Sequence, residues 1–111
     1  MPIANCFVRD GVAKGAQVEG LTRLWAEESD ISNEHMTINV LDAVRQNGAA
    51  YDIMAFLYLP SLWSSEDVRR LQVGLANALA RGFGVGPAGV QVITSLVESG
   101  HVVENGETQE W

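Results

Sequence analysis

Two kinds of apolar spacing alternate along the chain. Pro2 to Val8 is mostly apolar on both faces, and Phe7 and Val8 favour extended backbone, so this stretch reads as an inner strand ended by Asp10-Gly11. From Gln17 to Glu28 the apolar residues Val18, Leu21, Leu24 and Trp25 fall at helical spacing. Gly20 inside that helix weakens it by about 1 kcal/mol relative to Ala, and Ser29 to Asn33 breaks it. Met36, Ile38 and Val40 then alternate with Thr37 and Asn39, the period of a second strand, and Arg45 to Ala50 is a polar, Gly-containing connection. Ile53 to Leu59 is a continuous apolar third strand that Pro60 stops. Ser64 is an N-cap with Asp67 three residues on, a capping-box variant, and Val68, Leu71, Leu75, Ala78 and Leu79 form the stripe of a second helix ended by Gly82 and Gly84. Val90, Val92 and Ile93 open a fourth strand that runs to about Val97. Beyond Gly100, Val102-Val103-Glu104 and the tail to Trp111 flank Asn105-Gly106, a hairpin signal.

Strand, helix and strand therefore occur twice in the same order. An offset of 54 that aligns Met36 and Ile38 with Val90 and Val92 also pairs Leu21 with Leu75 and Trp25 with Leu79. The expected fold is α/β (α+β): two tandem βαβ units with right-handed crossovers, forming a four-stranded mixed sheet with two helices on one face and a C-terminal hairpin. We expect one domain over residues 1–111, with pseudo-repeats at about 2–50 and 51–100 and a tail at 101–111. Ala55, Leu57 and Leu59 alternate with Met54, Phe56 and Tyr58, so both faces of the third strand are apolar. Two helices cover one sheet face only, and self-association is expected to cover the other.

The composition fits a globular domain, with 47% hydrophobic and 19% charged residues among 111. A net charge of -7 argues against a nucleic-acid or anionic-membrane partner, since both need basic patches. Any anion site must draw on Arg9, Lys14, Arg23, Arg45, Arg69, Arg70 and Arg81. Cys6 is the single cysteine, so no internal disulfide forms, which fits a reducing compartment. The start does not read as a signal peptide and the longest apolar run is too short to span a bilayer. A cytoplasmic protein is expected.

Few motifs carry chemistry. Gly84-Val85-Gly86-Pro87-Ala88-Gly89 matches a dinucleotide fingerprint in letters, but it follows a helix and precedes a strand, the reverse of what that site requires, and it reads as a loop. His35 and His101 lack metal spacing and read as surface or loop histidines. Cys6 reads as a packing residue, and Trp25, Trp63 and Trp111 as core or interface residues. Arg69 and Arg70 fall in the first turns of the second helix, where a cation is disfavoured by the helix dipole, so a substrate carboxylate is an alternative to a solvated role. Pro2 stands out for another reason. It is small enough for Met1 to be removed, which would leave a secondary amine. An α-amino group titrates near neutrality, at about 7.7–8.0, and desolvation lowers it further. A buried N-terminal proline is thus a candidate general base. Proline is about one residue in twenty, so its place alone decides nothing.

Proline directly after Met, two tandem βαβ units and this length together resemble the tautomerase superfamily. The opening Pro2-Ile3-Ala4 resembles the small 4-oxalocrotonate tautomerases, and the fused double unit is similar in layout to malonate semialdehyde decarboxylase and macrophage migration inhibitory factor. Pro2 through Arg9 with Asp10-Gly11, and Val102-Val103-Glu104-Asn105-Gly106-Glu107, are similar to the start and to the glutamate-bearing segment of the trans-3-chloroacrylic acid dehalogenase α-chain. Two departures stand out: Val12 occupies the place of a common second arginine, and Ser61-Leu62-Trp63 the place of the decarboxylases' paired arginines. The resemblance implies a homotrimer, no metal or organic cofactor, and Pro2 at the base of a pocket. It implies an isomerase in which Pro2 moves a proton on an enolisable carbonyl acid. Arg9 polarises the carbonyl or holds the carboxylate, and Glu104 positions water or a second proton. Arg69 and Arg70 are candidate substrate contacts, and Phe7, Val102 and Val103 are candidates for the apolar wall. Hydration or dehalogenation of an unsaturated acid, with Glu104 activating water, is the alternative chemistry. A non-catalytic small-molecule-binding or interaction module on the same scaffold is the alternative class.

Overall fold

A computed structural model of the chain describes residues 1–12 and 18–111. Its elements are β1 (Ile3–Arg9), α1 (Leu21–Ser29), β2 (Thr37–Val44), β3 (Ile53–Pro60), α2 (Ser65–Phe83), a single 3-10 turn (Pro87–Gly89), β4 (Val90–Val97), β5 (Val102–Glu104) and β6 (Glu107–Gln109). Four strands form one mixed sheet in the order β2-β1-β3-β4, and β5 and β6 form a separate hairpin. β1 and β2 are parallel, as are β3 and β4, while β1 and β3 run antiparallel at the centre. This is the architecture expected from the two kinds of apolar spacing.

The side-chain alternation of the two central strands sorts the sheet into two faces. Ala4, Cys6 and Val8 of β1 and Ile53, Ala55, Leu57 and Leu59 of β3 are buried beneath the helices. Leu21 and Trp25 of α1 and Leu71, Leu75, Ala78 and Leu79 of α2 close the other side of that core. Trp25 is fully buried, and its indole Nε1 donates to the Leu71 carbonyl at 3.0 Å, so its one polar atom is satisfied. The opposite sheet face carries Ile3, Asn5 and Phe7 beside Tyr58, Phe56 and Met54. Phe7 and Phe56 meet edge to face at 5.6 Å, and Asn39 Nδ2 donates to Asn5 Oδ1 at 2.9 Å. That face is only partly covered, with Leu41, Tyr58 and Ile93 exposed.

Local chemistry explains where elements begin and end. The Ser64 hydroxyl accepts from the Asp67 N–H at 3.1 Å, the expected cap of α2. Asn105 and Gly106 both have positive φ, 54° and 75°, as a tight I′ hairpin turn requires. Four expectations are corrected. Gly20 is not inside α1 but caps its start, at φ 94°, and Val18 precedes the helix; Gln17 and Lys14 lie outside the described residues. β2 continues beyond Val40 to Val44. Pro60 is the last residue of β3 rather than the residue after it; β1 pairs only as far as Tyr58, so no β1 carbonyl needs a donor from Pro60. Gly82 lies within α2, where Leu21 packs so closely that an added Cβ would sit 2.5 Å from its Cδ2, and the helix ends at Gly84, the left-handed residue with φ 67°. Among the described residues no helix is long and apolar enough to cross a membrane.

Burial pushes the Cys6 thiol up from 9.0 to about 12. Ionising it therefore favours the unfolded chain. Its contribution to stability is complete below the unfolded value and is lost as pH rises from about 9 towards 12. The expected result is a urea midpoint that falls across this range more steeply in the wild type than in Cys6→Ala. Parallel midpoint curves would contradict it.

Candidate active site

The strand directions bring four chain segments to one end of the sheet. β1 and β2 begin there, and β3 and β4, antiparallel to β1, finish there. The hairpin follows β4 at that same end, and the tail is tied down by Trp111 N–H donating to Ser99 Oγ at 2.8 Å and Trp111 Nε1 donating to Ser61 Oγ at 3.1 Å. A cavity of about 320 Å³ opens at this end, lined by Met1, Ile3, Glu34, His35, Met36, Thr37 and Glu104. Pro2 lies between two of the lining residues and is itself buried. Its carbonyl accepts the Thr37 N–H at 3.0 Å, which fixes Pro2 at the start of the β1–β2 ladder. Lacking an N–H, Pro2 fits at a strand entry without leaving a donor unpaired.

Of the residues singled out from sequence, the fold brings Glu104 to the N-terminus of β1. Arg9 is at the opposite end of β1, and seven residues at roughly 3.3 Å each separate it from Pro2 by about 23 Å. There its guanidinium pairs with the Asp52 carboxylate. Within one chain Arg9 therefore does not meet Pro2. Phe7 points onto the open sheet face and packs on Phe56, away from the cavity. Val102 and Val103 belong to β5 beside Glu104 but do not line the cavity, and Val103 is 69% exposed.

Arg70, a candidate substrate contact, has partners within the fold and does not line the cavity. Its Nε donates to the Ser29 carbonyl at 3.0 Å and its Nη2 to the Asp30 carbonyl at 2.8 Å, while Nη1 reaches Asp67 Oδ1 at 3.2 Å. The last carbonyls of α1 are left without helical partners by the left-handed Asp30 (φ 56°), and a guanidinium from α2 satisfies them. Arg69 is exposed on α2, in the helix layer with Arg70.

His35, expected as a surface or loop histidine, is exposed in the turn before β2 and lines the cavity. Glu34 and Thr37, not singled out from sequence, line it as well. Among the described residues no group of three or more His, Cys, Asp or Glu is placed to hold a metal ion.

No family model and no curated protein matches the chain. Solved structures do. A fused 4-OT asymmetric trimer superposes with a TM-score of 0.77 at 14% identity, covering 96% of this chain and 95% of that one. A member of the cis-3-chloroacrylic acid dehalogenase family gives a TM-score of 0.74 at 15% identity, covering 97% and 83%. The macrophage migration inhibitory factor of Toxoplasma gondii gives 0.65 at 14% identity, covering 96% and 99%. The fold is that of the tautomerase superfamily. At these identities the tautomerase-superfamily likeness speaks for the backbone, and function has to be argued from the residues at the cavity.

Proposed function

We propose that the chain is a proton-transfer enzyme in which Pro2, once Met1 is removed, is general base and then general acid on an enolisable carbonyl acid. The observation that supports this best is the position of Pro2: it is buried and does not itself line the cavity, but its carbonyl accepts the Thr37 N–H and its neighbours Met1 and Ile3 line the cavity together with Glu104. Removal of Met1, itself a lining residue, would enlarge the cavity at the point where the new amine stands. Ile3 and Met36 supply apolar surface next to it, and desolvation favours the neutral amine, the form that accepts a proton. The proposal includes a homotrimer, in keeping with the half-covered sheet face and with the trimers seen among structural neighbours. In that assembly Arg9, which is remote from the cavity of its own chain, could serve the cavity of another copy.

A second reading, hydration or dehalogenation of an unsaturated acid, is favoured by one specific feature, the Glu104 carboxylate in the cavity. There Pro2 stays protonated and Glu104 draws a proton from water. Glu104→Gln separates the two chemistries. If water activation is the main role, turnover of a 3-haloacrylate is expected to fall by about 10²-fold or more, the usual worth of a general base. If tautomerisation is the main role, ketonisation of the enol of phenylpyruvate falls by less than that, because Pro2 still shuttles the proton. Protein freed of Met1 that turns over neither compound would contradict both readings.

A further inference from the structure

Proton transfer at carbon leaves negative charge on the carbonyl oxygen, and a site for that chemistry needs a hydrogen-bond donor aimed at it. Among the side chains lining the cavity, Met1, Ile3 and Met36 have no N–H or O–H to offer. Glu34 and Glu104, when ionised, only accept. Within the same chain Arg9 and Arg70 lie outside this lining and pair with Asp52 and with the end of α1. Thr37 and His35 are the remaining side-chain donors in the lining.

We infer that His35 is the group that holds the enolate oxygen, resting on the reading of Pro2 as the base. An imidazole has at least one N–H in either protonation state, so the role survives a change of charge. His101 has a backbone neighbour, with Nδ1 3.3 Å from the Ser99 carbonyl; His35 has no hydrogen-bond partner among the described residues. Its place follows from topology. It stands two residues before β2, and β2 is parallel to β1 with Thr37 opposite Ile3, so His35 is carried to the level of Met1 and Pro2. The step is balanced within the substrate. The C–H bond breaks and its proton goes to the Pro2 nitrogen. The electron pair forms the C=C bond, and the carbonyl π pair moves onto oxygen, where the His35 N–H donates to it. Pro2 then returns the proton to oxygen, giving the enol with no co-reactant. Ketonisation is the same path reversed.

The test uses His35→Leu, which removes the donor, and His35→Gln, which restores one. Loss of an oxyanion donor is expected to lower kcat by about 10²–10³-fold with KM changed only a few-fold, and His35→Gln should recover part of that loss. A direct binding readout makes failure here distinct from failure of the Pro2 base. The probe is 4-nitrophenolate, a planar oxyanion followed by its absorbance, titrated into the full chain with and without Pro2→Ala. His35→Leu is expected to weaken its binding about tenfold in both backgrounds, the worth of one hydrogen bond to a charged group. If that loss appears while Pro2→Ala keeps full turnover, the base reading fails and the His35 donor stands. If Pro2→Ala is inactive while His35→Leu keeps wild-type kcat and phenolate affinity, the His35 assignment is overturned and the base stands. Absence of phenolate binding to the wild type also overturns it.

Discussion

Pro2→Ala is expected to lose about 10²–10⁴-fold in turnover of an enolisable acid, the range that a positioned general acid–base supplies. The fold should tolerate the change. The hydrogen bond recorded for Pro2 is made by its carbonyl, which accepts the Thr37 N–H, and alanine keeps that carbonyl. Alanine is also small enough for Met1 to be removed, so the variant still presents an α-amine, but a primary one with more freedom at the strand entry. The residual activity therefore measures what a generic amine achieves in the same cavity. Circular dichroism and a thermal midpoint close to wild type would establish that the loss is chemical. Unchanged turnover would remove Pro2 from the mechanism.

Gly74→Ala is expected to destabilise the protein by about 1–3 kcal/mol, the cost of overpacking a filled interior. Helix propensity alone gives the opposite sign, since alanine is favoured over glycine by about 1 kcal/mol in a helix interior. Packing decides. A Cβ at Gly74 would lie 2.7 Å from Ser29 Cβ, 2.8 Å from Ser29 N and 2.9 Å from Ser29 Cα. Most of that obstacle is backbone, held by the Arg70 guanidinium on the Ser29 and Asp30 carbonyls, so α1 would have to move as a unit. Gly82 is the comparison. Its added Cβ meets the Leu21 side chain at 2.5 Å, a group that can rotate, so Gly82→Ala should cost less. Urea denaturation of both variants checks the order, and a Gly74→Ala protein as stable as the wild type would contradict the close contact of the two helices.

Much of the fold was legible because its signals are local. The Ser64 cap, the apolar stripe of α2, the run Ile53–Leu59 and the Asn105-Gly106 turn each specify their element within a few residues. Two of the misreadings were glycines, and the other two were the ends of β2 and β3. Gly20 serves a left-handed cap, and Gly82 lies inside a helix with Leu21 packed where a side chain would stand. For the site, Pro2 was picked out by residue type and Glu104 by the resemblance, and the hairpin connection brings Glu104 across to the start of β1. Arg9 was picked out by the same resemblance, yet its place at the far end of β1 followed from strand length alone. His35 sits in an aperiodic connector, where no spacing marks a face. The signal that could have found it was topological: in a parallel βαβ unit the residues just before both strands lie side by side.

The most direct test of Pro2 as an acid–base group is to assay the same chain with and without Met1, the two forms separated and identified by intact mass. Turnover of the phenylpyruvate enol is expected only from chains lacking Met1, and in mixtures it should scale with their fraction, because an amide nitrogen at Pro2 has no lone pair available as a base. Equal turnover by chains that retain Met1 would contradict it.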